Sequence, residues 1–178
     1  MALVDERLVD DIAKHDRYYR VEDFVTYLER HLRGEPGVPL SVIHAYADAL
    51  GYERERTDEL LEGRIVDSMT WVADDVFYRI GDGISIYPLS WHERLDGSRD
   101  VADYVRVMLD GRESAGEEFP KGERGIAQTD ILTALEIMTD VNRKEGEKML
   151  REQRHHGDIV IYAYQNPEDI VRLPETKQ

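Results

Sequence analysis

Residues 126–173 read IAQTDILTALEIMTDVNRKEGEKMLREQRHHGDIVIYAYQNPEDIVRL. In the first part of this segment, four apolar side chains recur at the spacing of a helix that buries one face: Ile131, Leu132, Leu135 and Met138. Thr129 stands just before them and can cap such a helix. The pattern therefore predicts a helix that begins near Thr129 and ends before a short turn at residues 140–142.

The second part of the segment predicts another helix and a small hairpin. The helix is expected from about Arg143 to His155, because Gly157 stands where it would end. Residues 159–164 are rich in β-branched and aromatic side chains and predict a strand. A polar turn at 165–169 follows, and Ile170 to Leu173 are expected to return as a second strand.

Upstream of this segment, a helix is predicted over about 98–110. Its apolar residues fall on one side: Val101, Tyr104, Val105 and Met108. Residues 111–125 contain four glycines and one proline without periodicity, so we predict a flexible loop there.

The N-terminal half predicts four helices, over about 4–15, 21–33, 39–50 and 54–69. Pro39 suits the first turn of the third helix, and Gly51 is placed to end it. In the fourth helix, Leu60, Leu61 and Ile65 are expected to point inward.

A hairpin is predicted after these helices. Residues 71–80 and 84–89 are rich in β-branched and aromatic side chains, and Gly81-Asp82-Gly83 forms a three-residue loop between them. The predicted fold class is therefore mainly α with small β-hairpins. Two modules are expected, at 1–92 and 93–174, followed by a tail at 175–178.

Three pieces of the C-terminal module carry a resemblance to a known family: the TDILTALE helix, the KMLREQRHHGDIVIY passage from helix to strand, and the short wing after it. They resemble the end of a winged helix-turn-helix domain of archaeal type, as in archaeal transcriptional regulators and the C-terminal domain of archaeal replicative helicases. With the 98–110 helix included, the resemblance covers about 75 residues. The long 111–125 loop departs from the family pattern. The N-terminal module is winged-helix-like only in the order of its elements.

The helix over 143–155 has a basic face. Lys144, Lys148, Arg151 and His155 share one side, while Gly146, Met149 and Gln153 are expected to face the core with Leu150 at the edge. Residues 141–157 contain five Lys/Arg and three Asp/Glu, in a chain whose net charge is -15.

The resemblance implies that this helix enters the major groove of DNA. Asn142 and Arg143 would then reach base edges, and Lys144, Lys148 and Arg151 would contact phosphates. The alternative is a solvated helix face with ion pairs such as Glu147–Arg151.

Other candidate sites are weaker. His155-His156 beside Asp158 could suggest a metal site, but we expect a helix-end pair favoured by the helix dipole. Asp74-Asp75 could bind a cation, but we expect a solvated loop. We expect no cofactor and no enzymatic centre. His31 and His44 are expected to be packed core histidines. Four tyrosines are either a stacking platform for single strands or, as we expect, core or interface residues: Tyr18, Tyr19, Tyr78 and Tyr87.

The charged residues are unusual in kind. The chain has 19 Asp, 19 Glu, 18 Arg and only 5 Lys. An excess of carboxylates with little lysine resembles the proteins of halophilic archaea, since concentrated salt screens the repulsion between carboxylates. The absence of cysteine excludes disulfides and thiolate zinc sites. Without an apolar run near the N-terminus, we expect no signal peptide and a cytoplasmic location.

The sequence thus predicts a DNA-associated regulatory protein of winged helix-turn-helix type, which binds double-stranded DNA as a homodimer. The alternative is a protein–protein interaction module that binds no nucleic acid. Residues 21–89 carry six Arg and fourteen Asp/Glu, so the acidic N-terminal module suits a protein partner better than DNA.

Overall fold

The computed structural model describes residues 4–14, 20–32, 34–166 and 168–175. The chain forms two compact units, unit 1 at residues 1–89 and unit 2 at residues 90–178; the sequence analysis places the division between 92 and 93. Helices dominate both units, and the sheets are small. The predicted fold class, mainly α with small β-structure, is confirmed. None of the helices in the described part is both long and apolar enough to cross a membrane.

Unit 1 has four helices and four short strands among its described residues. The helices are α1 (Glu6–Lys14), α2 (Val21–His31), α3 (Leu40–Ala49) and α4 (Arg54–Leu61). The strands are β1 (Val38–Pro39), β2 (Ile65–Val66), β3 (Phe77–Ile80) and β4 (Gly83–Ser85). They form one sheet in the order β1-β4-β3-β2, in which only the β2–β3 pair is parallel. The helices and the sheet share one apolar core around Leu28, Ile43 and Ile84.

Two predictions for unit 1 are corrected. The fourth helix ends at Leu61 rather than near residue 69, because Gly63 adopts a positive φ of 79° and the chain turns into β2. Leu60, expected inside, is 40% exposed. The hairpin is shorter than predicted and its loop is only Gly81-Asp82, since Gly83 already pairs with Ile80.

Residues 71–76 are not a strand. The hydroxyl of Tyr78 accepts a hydrogen bond from the Val72 N–H at 2.7 Å. A side chain therefore fixes this segment, and no strand-to-strand backbone hydrogen bonds are needed. Trp71 is buried, with its ring 6.0 Å from that of Tyr78.

Unit 2 contains most of α5 (Leu89–Leu95), and then three further helices and two short strands among its described residues. These are α6 (Val101–Ser114), β5 (Ile126–Ala127), α7 (Gln128–Met138), α8 (Arg143–His156) and β6 (Ile170–Val171). β5 pairs antiparallel with β6, and an isolated bridge joins Val160 to Arg172. The four side chains predicted to be inward on α7 are all buried.

Three predictions for unit 2 are corrected. The 98–110 helix starts at Val101 and continues to Ser114, because Arg112 is buried and still belongs to its packed face. The expected strand over 159–164 is reduced to the bridge at Val160, since the chain turns after Ile161. Helix α5 begins at Leu89, the last residue of the strand expected over 84–89, and its other residues have no predicted element.

The two units repeat one order of elements. Each contains a helix, a two-residue strand and two further helices in that order, and the two-residue strand pairs antiparallel with the last strand of the unit. Gly37 and Gly125 precede those first strands. A Cβ on Gly37 would lie 3.3 Å from the Ile84 carbonyl oxygen, and one on Gly125 would lie 2.6 Å from that of Val171. The same close approach of two backbones therefore occurs at the same place in both units.

Candidate nucleic-acid interface

Helix α8 is defined at both ends by side-chain and backbone capping. The Asn142 side chain accepts a hydrogen bond from the Glu145 N–H at 2.9 Å, and Gly157 closes the helix with a φ of 83°. Glu145 lies in the first turn, and Arg154, His155 and His156 lie in the last turn, which suits the helix dipole. The predicted bounds of this helix are reproduced within one residue.

One face of α8 packs into unit 2. Leu150 is 1% exposed, and a Cβ on Gly146 would lie 2.9 Å from Leu132 Cδ2. The Gln153 amide accepts from the Val101 N–H at 2.8 Å and donates to the Arg99 carbonyl at 2.9 Å. Leu150, predicted at the edge of this face, is its most buried side chain, while Met149 is only half-buried.

The opposite face of α8 carries the basic stripe, defined as Lys144, Lys148, Arg151 and His155. All four side chains are exposed. Lys148 Nζ lies 3.8 Å from a Glu152 oxygen, an exposed pair that contributes little to stability. Arg151 hydrogen-bonds Tyr164, and this contact raises the pKa of its guanidinium. The stripe is thus accessible, although acidic side chains flank it.

Asn142 and Arg143 are engaged inside unit 2. Asn142 caps α8, and its amide nitrogen also lies 3.2 Å from a Glu145 carboxylate oxygen. Arg143 Nε lies 2.7 Å from Glu136 Oε1, and its terminal nitrogens donate to the Thr133 hydroxyl at 3.2 Å and the Thr129 carbonyl at 3.4 Å. Contact with a base edge would have to replace these interactions. The structure therefore does not group this pair with the basic stripe.

A second cluster was not identified from the sequence. We name it the tyrosine–arginine cluster: Arg154, Tyr162, Tyr164 and Arg172. The Arg154 guanidinium lies 5.2 Å from the centre of the Tyr164 ring, and that of Arg172 lies 4.8 Å from the Tyr162 ring. Arg154 Nε also donates to the Ile161 carbonyl at 2.9 Å. In the sequence, the alternation Tyr162-Ala163-Tyr164 is the one signal for this cluster, and it is equally typical of an ordinary strand.

The loop that carries these tyrosines is attached to the start of α7. The buried Gln128 side chain donates to the carbonyls of Tyr164 at 3.3 Å and Asn166 at 2.9 Å. The Ala163 N–H donates to Asp169 Oδ2 at 2.7 Å. Specific polar contacts therefore fix the loop, in place of the backbone hydrogen bonds of a strand pair.

The charge of this region differs from that of the rest of the chain. Residues 141–172 contain six Lys/Arg and six Asp/Glu, so the segment is neutral in a chain of net charge -15. Repulsion of a polyanion is therefore weaker here than the net charge of the whole chain implies.

The remaining candidates do not form a site. Tyr78 and Tyr87 are buried, as expected for core residues, and Tyr18 and Tyr19 lie outside the described residues. His31 is exposed, contrary to expectation, and stacks on Tyr27 at 4.2 Å.

His44 is half-buried rather than in the core, because Nε2 lies 2.7 Å from an Asp58 oxygen at the surface. Across the described residues, no group of three or more His, Asp or Glu side chains is arranged to hold a metal ion.

Comparison with known proteins finds no matching family model, and neither a curated protein nor a solved structure matches the chain.

Proposed function

We propose that this protein is a DNA-associated regulatory protein with two winged-helix-like units, of which unit 2 contacts double-stranded DNA. The observation that carries the proposal is the exposure of the basic stripe on α8, a helix anchored through Leu150. Among the described residues of unit 2, this helix is the last and is followed by β6. In winged-helix proteins, the helix in that position enters the major groove.

The stripe supplies contacts to the phosphate backbone. Lys144 and Lys148 are exposed point charges that suit phosphate oxygens, and Arg151 is held beside the wing by Tyr164. Asn142 and Arg143, which the resemblance assigns to bases, orient the helix instead, because both are committed to contacts within the unit.

The acidic composition supports a second element of the proposal, a cytoplasm rich in potassium chloride. At about 1 M salt the Debye length is about 3 Å, so repulsion between the protein's carboxylates and DNA is strongly screened. The same salt weakens the phosphate contacts, because fewer counterions are released on binding. The proposed interface must therefore depend largely on a close fit between the surface of α8 and the groove.

Selection of bound fragments from random duplex DNA at high salt tests the proposal. We expect wild type to enrich fragments and the double variant Lys144→Glu/Lys148→Glu to lose this enrichment while keeping its melting temperature, because both side chains are exposed. The matched control is Arg54→Glu/Arg56→Glu, which makes the same charge change on α4, the equivalent helix of unit 1. It should bind like wild type.

Two results would count against DNA binding by α8. If wild type enriches nothing, the stripe is a solvated helix face. If the control loses enrichment as completely as the test variant, net charge and not the α8 surface determines the outcome.

A second candidate function, protein binding through unit 1, is favoured by one groove. It has a volume of about 400 Å³ and lies between the start of α2 and α4, with Val21, Phe24, Tyr52 and Leu60 in its lining. An exposed leucine beside aromatic side chains in an acidic unit suits an apolar protein partner. Leu60→Asp should abolish co-purification of such a partner while leaving DNA selection unchanged.

We also propose a homodimer, as regulators of this type usually bind two-fold sites. The sequence offers the aromatic-rich hairpin or the first helix as the contact, but the hairpin side chains Trp71, Phe77, Tyr78 and Tyr87 are all buried within the chain. Met69 and Val72 are 59% and 46% exposed and are the better contacts. Light scattering should give about twice the 20.7 kDa chain mass, and Met69→Glu/Val72→Glu should return it to the monomer value.

A further inference from the structure

We propose that the Tyr162 ring stacks on an unpaired base, so that unit 2 prefers a duplex containing an unpaired nucleotide to a fully paired duplex. This inference rests on the proposed function, because it specifies the kind of DNA that the same surface binds.

The exposure of Tyr162 is the first argument. Its side chain is 73% exposed, the highest value among the large hydrophobic side chains in the described part of the chain. The Arg172 guanidinium lies 4.8 Å from the ring centre and covers one face. Most of the remaining ring is open to solvent, which is the arrangement that an unpaired base requires for stacking.

The second argument is that the ring is already positioned. Asp169 accepts from the Ala163 N–H at 2.7 Å, directly after Tyr162, and Gln128 donates to the Tyr164 and Asn166 carbonyls. A loop held by such contacts loses little conformational freedom when it binds. The Arg172 contact further restricts the ring.

The third argument is the chemistry around the ring. Arg154 lies against Tyr164, which also hydrogen-bonds Arg151, so cations accompany both tyrosines of the loop. Aromatic rings interleaved with cations bind unpaired nucleic acid, because bases stack on the rings while phosphates meet the charges. A paired base has no free face for Tyr162, whereas an unpaired one does.

The fourth argument concerns salt. Phosphate contacts weaken as salt rises, since their free energy comes largely from counterion release. Stacking involves no net charge and persists. The preference for an unpaired nucleotide should therefore remain at about 1 M potassium chloride, where overall affinity for duplex DNA has fallen.

Fluorescence anisotropy with the full chain tests the proposal. The probes are a labelled duplex of mixed sequence and the same duplex with one additional unpaired thymine. We expect wild type to bind the bulged probe about tenfold more tightly than the paired one. Tyr162→Phe keeps an aromatic ring and should retain the preference, whereas Tyr162→Leu keeps apolar bulk without a π face and should lose it.

Each outcome of the anisotropy measurement either supports or overturns stacking by Tyr162. A preference that Phe retains and Leu abolishes supports stacking by Tyr162. Equal binding of both probes by wild type, or a preference that survives in Tyr162→Leu, overturns the inference and leaves the proposed function intact. If wild type binds neither probe at any salt concentration, the proposed function fails together with the inference. Melting temperatures near that of wild type for both variants exclude unfolding as the cause.

Discussion

Arg143 Nε lies 2.7 Å from Glu136 Oε1, and this ion pair joins the first residue of α8 to a carboxylate that is only 8% exposed on α7. Two threonines of α7 accept further hydrogen bonds from the same guanidinium. The pair therefore helps to fix the angle between α7 and α8. The sequence pattern predicts these two helices separately. Its principal role is to hold α8 in place.

Removing Arg143 should destabilise unit 2, because a buried carboxylate would lose its cation. We expect Arg143→Ala to lower the free energy of unfolding by about 1–3 kcal/mol. Arg143→Ala/Glu136→Gln should lose less than the sum of the single variants, since no uncompensated charge remains. Additive losses would show that the pair is not coupled.

The two tryptophans allow each unit to be followed separately. Trp71 lies in unit 1 and Trp91 in unit 2, the chain has no others, and both are buried. Trp71→Phe leaves a fluorescence reporter for unit 2, and Trp91→Phe leaves one for unit 1. Denaturant titrations in these two backgrounds measure the free energy of unfolding of each unit, and so test the stability predictions.

Glu29 should make unit 1 less stable at alkaline pH. Burial raises the pKa of this carboxyl from 4.5 to about 8, although the Ser85 hydroxyl, 2.7 Å away, and the Ile86 N–H favour the ionised form. The unfolded chain therefore ionises first, and stability falls as the pH rises from 4.5 to about 8. Glu29→Gln should remove this loss of stability, which is about 5 kcal/mol at a pH above the upper pKa.

The variant and wild type should differ least below pH 4.5. Glu35→Gln, at an exposed position, serves as the control and should follow the wild-type curve. A Glu29→Gln curve parallel to wild type across the whole range would contradict the prediction.

His92 should make unit 2 less stable at acidic pH, the opposite of the pH dependence expected for unit 1. Burial lowers the pKa of this imidazole from 6.5 to about 4, against the opposing effect of the Asp96 charge. The unfolded chain takes up the proton first, so stability is present above 6.5 and is lost as the pH falls towards 4. His92→Leu should flatten the curve over that interval, while His31→Gln, at an exposed site, should not.

Salt should stabilise both units. The net charge of -15 produces self-repulsion, which screening reduces. We expect the melting temperature to rise steadily from about 0.1 M to above about 1 M potassium chloride. Potassium glutamate is a useful comparison, because it tests whether the effect depends on the anion. A flat or falling melting temperature in both salts would refute the halophilic interpretation.

The sequence predicted the elements whose signals are local. Helix α7 follows from the spacing of Ile131, Leu132, Leu135 and Met138, and the end of α8 follows from the stop at Gly157. These signals act within a few residues and do not depend on the rest of the fold.

Other features depend on partners distant in the chain and were not predicted. The two-residue strands β1 and β5 are too short for any periodicity, and their pairing requires the close backbone approach at Gly37 and Gly125. Helix α4 was extended too far because Ile65 fell at a helical spacing, although it begins a strand. In the candidate site, Lys144 and Lys148 were predicted to be exposed from periodicity alone, whereas the role of Arg143 depends on Glu136 across a turn.

The sheet of unit 1 has a consequence for misassembly. A strand with unpaired N–H and C=O groups at a sheet edge is a template on which another chain can add. At one edge, the two-residue β2 covers β3. At the other, β1 ends in Pro39, which has no N–H to donate. Both edges of this sheet are therefore poor templates for the strand addition that leads to amyloid.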